Sequence, residues 1–311
     1  METIQLNGLS NVSRLCIGGC PAGEFGWGNV SRKDITAALL YAVELGICFF
    51  DTADTYGLGR SEETLGEVLK PHRSKIFLAT KFGVRVENGK TFYDNSPAYI
   101  ETALHASLKR LRTDYIDLYQ VHYLDESASI PAMMETLIAS KERGLIRAIG
   151  LSNITEAHIS AFLPYASHLA SFQQHFSLAH QEDEAAVRRI SSMLGISPLT
   201  WGSLGQGILT GKYGADVHFS ADDRRSRPIY ENFYGDKLQR NLRIVEALRP
   251  LAEKYSVPVS SIAIRWILDT LPQSVVLTGV KTPKQVEDNA LALTFKLTEA
   301  ELASLRPERL L

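Results

Sequence analysis

The chain has 311 residues, of which 45% are hydrophobic and 22% are charged, a composition typical of globular proteins. A formal net charge of −2 and a pI near 6.5 argue against nucleic acid or an anionic membrane surface as a partner. The sequence shows no signal-peptide core, no segment long enough to span a bilayer and no CxxC or Cys/His pattern, so we expect a cytoplasmic protein with reduced thiols.

Short apolar runs that favour β-strands recur along the chain. Two such runs, 3–6 and 12–15, lie on either side of Asn7-Gly8 and predict a hairpin that closes the bottom of a barrel. The main predicted strands are 15–18, 47–51, 76–81, 116–122, 146–151, 170–173, 196–199 and 275–279.

Segments with helical periodicity separate these strands. The segment 201–236 is long, rich in glycine and aromatic residues, and predicts a functional loop. After it, 259–268 predicts an additional helix before the last strand. The other predicted helices are 31–45, 63–69, 98–111, 132–143, 156–163, 182–194 and 239–255.

Eight strands with intervening helices over this length predict an α/β fold of the (β/α)8 TIM-barrel type. We expect residues 1–311 to form a single domain, with an N-terminal β-hairpin and long loops at the C-terminal face. The competing arrangement is a doubly wound open sheet. That fold would need a glycine-rich dinucleotide fingerprint after the first strand, and none follows 15–18 in the required form.

Three successive predicted strands end in ionisable residues: Asp51, Lys81 and His122. Each alone has an ordinary explanation, as a capping acid, a solvated lysine or a packed histidine. Because the C-terminal ends of barrel strands meet at one rim, the three side chains can converge, and a buried lysine there needs a carboxylate such as Asp51. The trio therefore predicts a site more strongly than its members do separately.

Tyr56 follows Asp51 in the same loop and is the fourth candidate. A phenol has an ordinary pKa of about 10, so we expect the Lys81 ammonium to lower the pKa of Tyr56. Tyrosine, lysine, aspartate and histidine together suit proton transfer to or from a carbonyl or alcohol oxygen. We predict no metal site, since no two histidines share a strand or a helix turn. No role is predicted for Asp54.

Several motifs, taken in order, resemble the aldo-keto reductase superfamily over nearly the whole chain. They are FFDTADTYGLGRSEETLG, LATKFG, IDLYQVHY, GLIRAIGLSN, SFQQHFSL, WGSLGQGILTGKY and TGVKTPKQVEDN. The resemblance implies a (β/α)8 barrel that binds NADP(H) or NAD(H) without a Rossmann domain. It also implies an oxidoreductase that reduces an aldehyde or ketone to the alcohol.

The resemblance implies a role for each member of the tetrad. Tyr56 would be the general acid, Lys81 would lower its pKa, Asp51 would pair with Lys81, and His122 would orient the substrate carbonyl.

The resemblance further implies NADP as cofactor, with NADPH preferred and NAD possible. Lys281 would meet the 2′-phosphate, although Thr282-Pro283 could equally be routine helix capping. Gln285 stands where many NADPH-preferring members carry arginine, which leaves dual specificity open. The implied cofactor residues are Ser152, Asn153, Gln173, Trp201, Ser203, Leu204, Gln206, Gly207, Gly279, Lys281, Gln285 and Asn289.

Trp27 and Tyr123 are the predicted walls for a small-molecule carbonyl substrate, for which we favour a polar aldehyde or an aldose. The run Arg224, Arg225 and Arg227 is compatible with either a solvated loop or a cofactor clamp. Two other functions remain open. One is an NADPH-binding regulatory subunit of the same fold with little turnover, and the other is a barrel metallohydrolase, which would need paired histidine or carboxylate ligands.

Overall fold

Eight parallel strands close a barrel in the computed structural model, which describes residues 1–24 and 26–306. The barrel order is β3-β4-β5-β8-β9-β10-β11-β12, and two separate hairpins pair β1 with β2 and β6 with β7. The strands in chain order are β1 (Thr3–Leu6), β2 (Leu9–Ser13), β3 (Leu15–Gly18), β4 (Phe49–Asp51), β5 (Phe77–Phe82), β6 (Val84–Glu87), β7 (Lys90–Tyr93), β8 (Ile116–Val121), β9 (Ile146–Ser152), β10 (Leu169–His175), β11 (Ser197–Trp201) and β12 (Val275–Gly279).

Helices on the outside of the barrel connect successive strands, as expected for parallel pairing. Several begin at a side-chain cap; Ser96, for example, accepts a hydrogen bond from the backbone N–H of Tyr99. The helices are α1 (Arg32–Glu44), α2 (Arg60–Leu69), α3 (Pro97–Leu111), α4 (Ile130–Glu142), α5 (Ile159–Phe162), α6 (Glu184–Leu194), α7 (Gly235–Tyr255), α8 (Val259–Thr270), α9 (Pro283–Ala290) and α10 (Glu299–Ser304).

The side chains inside the barrel form a core of their own. Alternate strand residues such as Phe49 and Leu118 point inward, whereas their neighbours Phe50 and Tyr119 belong to the core between barrel and helices. Leu9 and Val12 of the N-terminal hairpin belong to the inner core and close its lower end. The predicted barrel with its N-terminal hairpin is therefore confirmed.

The same alternation carries polar side chains to the upper rim. Phe49 and Asp51 lie on one face of β4, so the residue that ends the apolar strand points into the barrel mouth. On β8 the inward series is Leu118 followed by Gln120, and His122 continues it just past the strand.

Some predicted boundaries and elements differ from the structure. The segment after β5, for which no strand was predicted, contains the β6–β7 hairpin. Helix α10 was not predicted, and the segment 201–236 contains short 3-10 turns. None of the described helices is long and apolar enough to cross a membrane.

Candidate active site

A buried ion pair joins the ends of β4 and β5. Lys81 Nζ donates to Asp51 Oδ2 at 2.6 Å and to the Thr52 carbonyl at 2.9 Å. The two side chains are only 1% and 3% exposed. Burial alone would lower the pKa of Lys81, but the Asp51 carboxylate and the Tyr56 phenol reverse this and raise the pKa above its ordinary value. Lys81 is therefore a fixed cation at neutral pH.

Tyr56 lies beside this cation, with its hydroxyl 3.5 Å from Lys81 Nζ. The turn that places it needs glycine at position 57, where φ is +62° and a Cβ atom would collide with the Gly23 carbonyl. Lys81 acts in the expected direction, yet burial outweighs it, and the net pKa of Tyr56 is raised. The expected effect of Lys81 is therefore present, but the larger effect of burial was not predicted, because the sequence alone does not reveal how deeply the phenol is buried.

His122 faces Tyr56 across the site, with the two rings edge to face and their centroids 6.0 Å apart. Burial, followed by repulsion from Lys81, lowers the pKa of His122 to about 3. The imidazole is therefore neutral at pH 7. Its Nδ1 atom is buried without a hydrogen-bond partner in the protein.

Two glutamines complete the surroundings of Asp51. The side-chain amides of Gln120 and Gln173 both donate to Asp51 Oδ1, at 2.9 and 2.5 Å, and Gln173 also donates to Gln120 Oε1 at 3.0 Å. Each oxygen of Asp51 thus has a donor, which holds the carboxylate in one orientation for Lys81. Gln120 was not predicted, although it shares the inward alternation of Leu118 and His122.

The residues predicted to hold the nicotinamide end of a cofactor lie together at the ends of β9, β10 and β11. Asn153 Nδ2 donates to the His122 carbonyl at 3.0 Å and to Ser152 Oγ at 3.1 Å. Trp201 Nε1 donates to Asn153 Oδ1 at 3.1 Å. This network ties the indole to the same rim as His122, and the Asn153 backbone N–H donates to the Gln173 carbonyl at 2.9 Å.

The predicted pyrophosphate segment follows β11 and is tightly turned. Ser203 is buried, and its hydroxyl donates to the Thr200 carbonyl at 2.8 Å. Leu204 packs against the core, while Gln206 and Gly207 adopt positive φ angles of 54° and 106°. Gln206 Oε1 accepts a hydrogen bond from Asn232 at 2.5 Å.

Arg225 anchors the long loop to this segment and is buried. Its guanidinium pairs with Asp223, with Nη2 to Oδ2 at 2.5 Å, and donates to the Tyr213 hydroxyl at 2.7 Å. It also lies over the Phe219 ring, 4.4 Å from the centroid. The arginine run had two interpretations, a solvated loop and a cofactor clamp. Because Arg225 is buried, the first does not apply to it.

The predicted adenosine-phosphate end lies at α9. Lys281 donates from Nζ to the Trp27 carbonyl, and its backbone N–H donates to Gln285 Oε1 at 2.7 Å. Burial, and then the nearby cations Arg225 and Lys212, lower the pKa of Lys281. Such a concentration of positive charge suits an anionic phosphate group. Asn289 is buried within α9, and Gly279 is exposed at the end of β12.

The two predicted substrate walls have different aromatic neighbours. Trp27 Nε1 donates to Cys20 Sγ at 3.1 Å, and its ring meets Tyr230 edge to face with centroids 6.5 Å apart. Tyr123 stacks on His122 at 5.1 Å and on Tyr93 of the β6–β7 hairpin at 5.2 Å. Each of the two predicted walls thus packs against a further aromatic ring.

Lys212, Tyr93 and Cys20 were missed as candidates for the site. Cys20 lies two residues past the end of β3, so its place near a strand end was a usable signal. The others depend on contacts between distant loops. Within the described residues, no group of three or more His, Cys, Asp or Glu side chains is arranged to hold a metal ion.

Comparison with known proteins agrees with the barrel fold. A family model described as the aldo/keto reductase family matches residues 14–307. Aldo-keto reductase YhdN of Bacillus subtilis is 35% identical over 278 residues, which cover 88% of this chain and 83% of that protein. The aldo-keto reductase yakc of Schizosaccharomyces pombe, whose name specifies NADP(+), is 35% identical over 298 residues, covering 93% and 86%.

Comparison with a solved structure shows that the similarity extends to the three-dimensional fold. The glycerol dehydrogenase AKR11B4 from Gluconobacter oxydans superimposes with a TM-score of 0.88 at 31% identity, covering 97% of this chain and 93% of that one. A family match over nearly the whole chain, together with relatives above 30% identity, assigns this protein to the aldo/keto reductase family.

Proposed function

We propose that this protein reduces a small polar aldehyde or ketone to the alcohol, with NADPH as the preferred reductant and Tyr56 as the general acid. The observation that carries the proposal is the buried Asp51–Lys81 pair beside the Tyr56 hydroxyl, opposite a neutral His122. Such an arrangement has little structural benefit, because a buried ion pair contributes little net stability compared with apolar packing.

The protein's own residues handle the proton. Tyr56 remains protonated at neutral pH because burial raises its pKa, so it has a proton to donate to the carbonyl oxygen. As that proton leaves, the neighbouring Lys81 ammonium stabilises the phenolate that forms. Asp51 holds Lys81 in place, and Gln120 and Gln173 hold Asp51.

His122 positions the substrate. A neutral imidazole can donate one hydrogen bond to the carbonyl oxygen without competing with Tyr56 as an acid. Its stacking against Tyr123 fixes the plane of its ring. A bound reduced nicotinamide supplies the hydride that the carbonyl carbon accepts.

We assign the contacts with the cofactor to residues at the same rim of the barrel. Ser152, Asn153 and Gln173 would hydrogen-bond the carboxamide, and Trp201 would stack on the nicotinamide ring. Ser203, Leu204, Gln206 and Gly207 would line the pyrophosphate. Lys281 would bind the 2′-phosphate, with Gly279, Gln285 and Asn289 around the adenosine.

A preference for small polar carbonyls has two supports. The mouth is lined by Trp27 and Tyr123, whose rings can pack on the apolar face of a polyol or aldose while leaving its hydroxyls solvated. A relative at 31% identity carries the name glycerol dehydrogenase.

The test is steady-state oxidation of NADPH and NADH with a panel of aldehydes, aldoses and ketones, alongside calorimetric binding of both cofactors. We expect turnover with small polar carbonyls and a lower Kd for NADPH. Tight NADPH binding with no turnover on any substrate would instead favour a regulatory, sensor-type role.

A further inference from the structure

Trp201 is one end of a stack of three aromatic rings. Its indole lies parallel to the His175 imidazole, with centroids 4.4 Å apart and planes at 10°. His175 in turn lies parallel to the His180 imidazole, at 4.1 Å and 14°. His175 ends β10 and His180 follows in the loop before α6, so the stack runs from the barrel mouth toward the protein surface.

The stack leaves one face of the indole for a ligand. His175 covers one side of Trp201, so a nicotinamide ring can stack only on the other. Gly202 leaves room for His175, since a Cβ atom there would lie 2.6 Å from the imidazole Cδ2 atom. The bond from Trp201 Nε1 to Asn153 fixes the far edge of the indole.

The two imidazoles have different surroundings. Burial, and then the charge of His180, lower the pKa of His175 to about 4, so this ring is neutral at pH 7. The His180 side chain is 25% exposed and contacts two carboxylates, Asp183 at 3.0 Å and Glu182 at 3.4 Å. Helix α7 adds two cations to the surroundings, Lys237 and Arg240, which pair with Glu182 at 3.9 and 3.0 Å.

We propose that His175 and His180 are positioning residues of the cofactor site, and that the charge on His180 sets the relative affinity for oxidised and reduced nicotinamide. The inference rests on the proposed function, which places the nicotinamide on Trp201. The oxidised ring carries a positive charge and the reduced ring is neutral. A protonated His180 therefore disfavours the oxidised cofactor, from which it is separated by the stacked rings of His175 and Trp201.

The expected size of the effect follows from Coulomb's law. One unit of charge acting over a distance on the order of 12 Å, at an effective dielectric constant of about 20 to 40, changes a binding constant roughly 3- to 10-fold. Histidine is in general the side chain that changes charge between about pH 5 and 8, so the experiment compares pH 6.0 with pH 8.5.

The experiment measures Kd for NADP+ and NADPH by calorimetry at pH 6.0 and pH 8.5, and reports the ratio of the two constants. Both cofactors carry the same phosphates, so titration of those phosphates and of their protein partners cancels in the ratio. In the wild-type protein we expect the NADP+/NADPH ratio of Kd values to be about 3- to 10-fold higher at pH 6.0.

Three variants locate the effect at His180. His180→Phe keeps a ring without charge, and His180→Gln is a second neutral variant; both should show the wild-type pH 8.5 ratio at either pH. His180→Arg keeps a planar, permanently charged group and should show the pH 6.0 ratio at either pH. His105→Gln, an exposed histidine beside a carboxylate on α3, is the matched control and should behave as wild type.

Two results would overturn the inference. One is a wild-type ratio that does not change with pH, and the other is an unchanged pH dependence in both neutral variants. If the folded wild-type protein binds neither cofactor, the proposed function fails, and the inference fails with it.

Discussion

At the scale of single residues, the site depends on burial as much as on residue identity. Asp51, Lys81 and His122 were predicted because each ends an apolar strand, and the structure brings them together with Tyr56. The direction of the Tyr56 pKa was not predictable, because it depends on how fully the phenol is desolvated. The sequence indicates which side chains can lie close together. How far each of them is shielded from water depends on the packing of the folded chain.

Asp54 shows the same dependence on burial. It had no predicted role, and its Oδ1 atom is buried without a partner. Burial, and then the neighbouring carboxylate of Glu62, raise the pKa of Asp54 to about 7. Glu62 pairs with Arg110 at 2.6 Å, and although Arg110 and Lys81 act to lower the pKa of Asp54, burial and Glu62 outweigh them.

We predict that Asp54→Asn stabilises the protein above neutral pH. Because the pKa of Asp54 is higher in the folded state than in the unfolded state, the free energy of unfolding falls as the pH rises from about 4 to about 7. It stays at the lower value above pH 7. Asparagine resembles the protonated acid, so the variant should gain up to ~4 kcal/mol over wild type at pH 8 and clearly less at pH 5. Denaturant unfolding at both pH values measures this, with the exposed neighbour Glu63→Gln as control. An equal gain at pH 5 and pH 8 would contradict the explanation.

At the scale of elements, periodicity was sufficient for the barrel strands and insufficient for the loops. The ends of β3 and β12 match their predicted bounds, because apolar runs bounded by glycine or charge define them. The β6–β7 hairpin was missed although Asn88-Gly89 is a hairpin turn signal, and both residues have positive φ. Arg225 contacts Tyr213 and Phe219, which lie well before it in the loop, and no local pattern encodes these contacts.

At the same scale, the residues around helix α9 lead to a prediction about cofactor binding. Its N-terminus is capped by Thr282, which accepts from the Gln285 backbone N–H at 3.4 Å, and Lys281 lies just before it. We predict that Lys281→Met weakens NADPH binding at least 10-fold while changing NADH binding less than 3-fold, because only NADPH carries the 2′-phosphate. The control Lys284→Met removes an exposed cation from the same helix, paired with Glu287 and Asp288. Equal losses for the two cofactors in Lys281→Met would show that this lysine does not meet the 2′-phosphate.

At the scale of the whole molecule, the tetrad and the hairpin that closes the inner core lie at opposite ends of the barrel. The tetrad lies at the C-terminal ends of the strands, while the β1–β2 hairpin packs into the lower end of the inner core. We propose that residues 1–311 form one domain, in which the lower end stabilises the barrel without contacting the site.

Leu9→Ala tests this separation. Leu9 is 3% exposed within the inner core, so truncation should cost about 2 to 5 kcal/mol. We expect a lower Tm with a single cooperative transition, and kcat/KM within 2-fold of wild type at a temperature where both proteins are folded. Met193→Ala, which truncates a half-exposed side chain on α6, should change neither quantity. A large loss of kcat/KM in folded Leu9→Ala would mean that the hairpin also shapes the site.

The central claim is that Tyr56 donates the proton while the rest of the rim binds the cofactor. The most direct measurement is single-turnover carbonyl reduction by Tyr56→Phe, together with its calorimetric Kd for NADPH. Removing one hydroxyl beside Lys81 should lower reduction at least 1,000-fold, on the order of 4 kcal/mol, and leave Kd within about 3-fold of wild type. Near-wild-type reduction by a folded Tyr56→Phe protein would contradict the account.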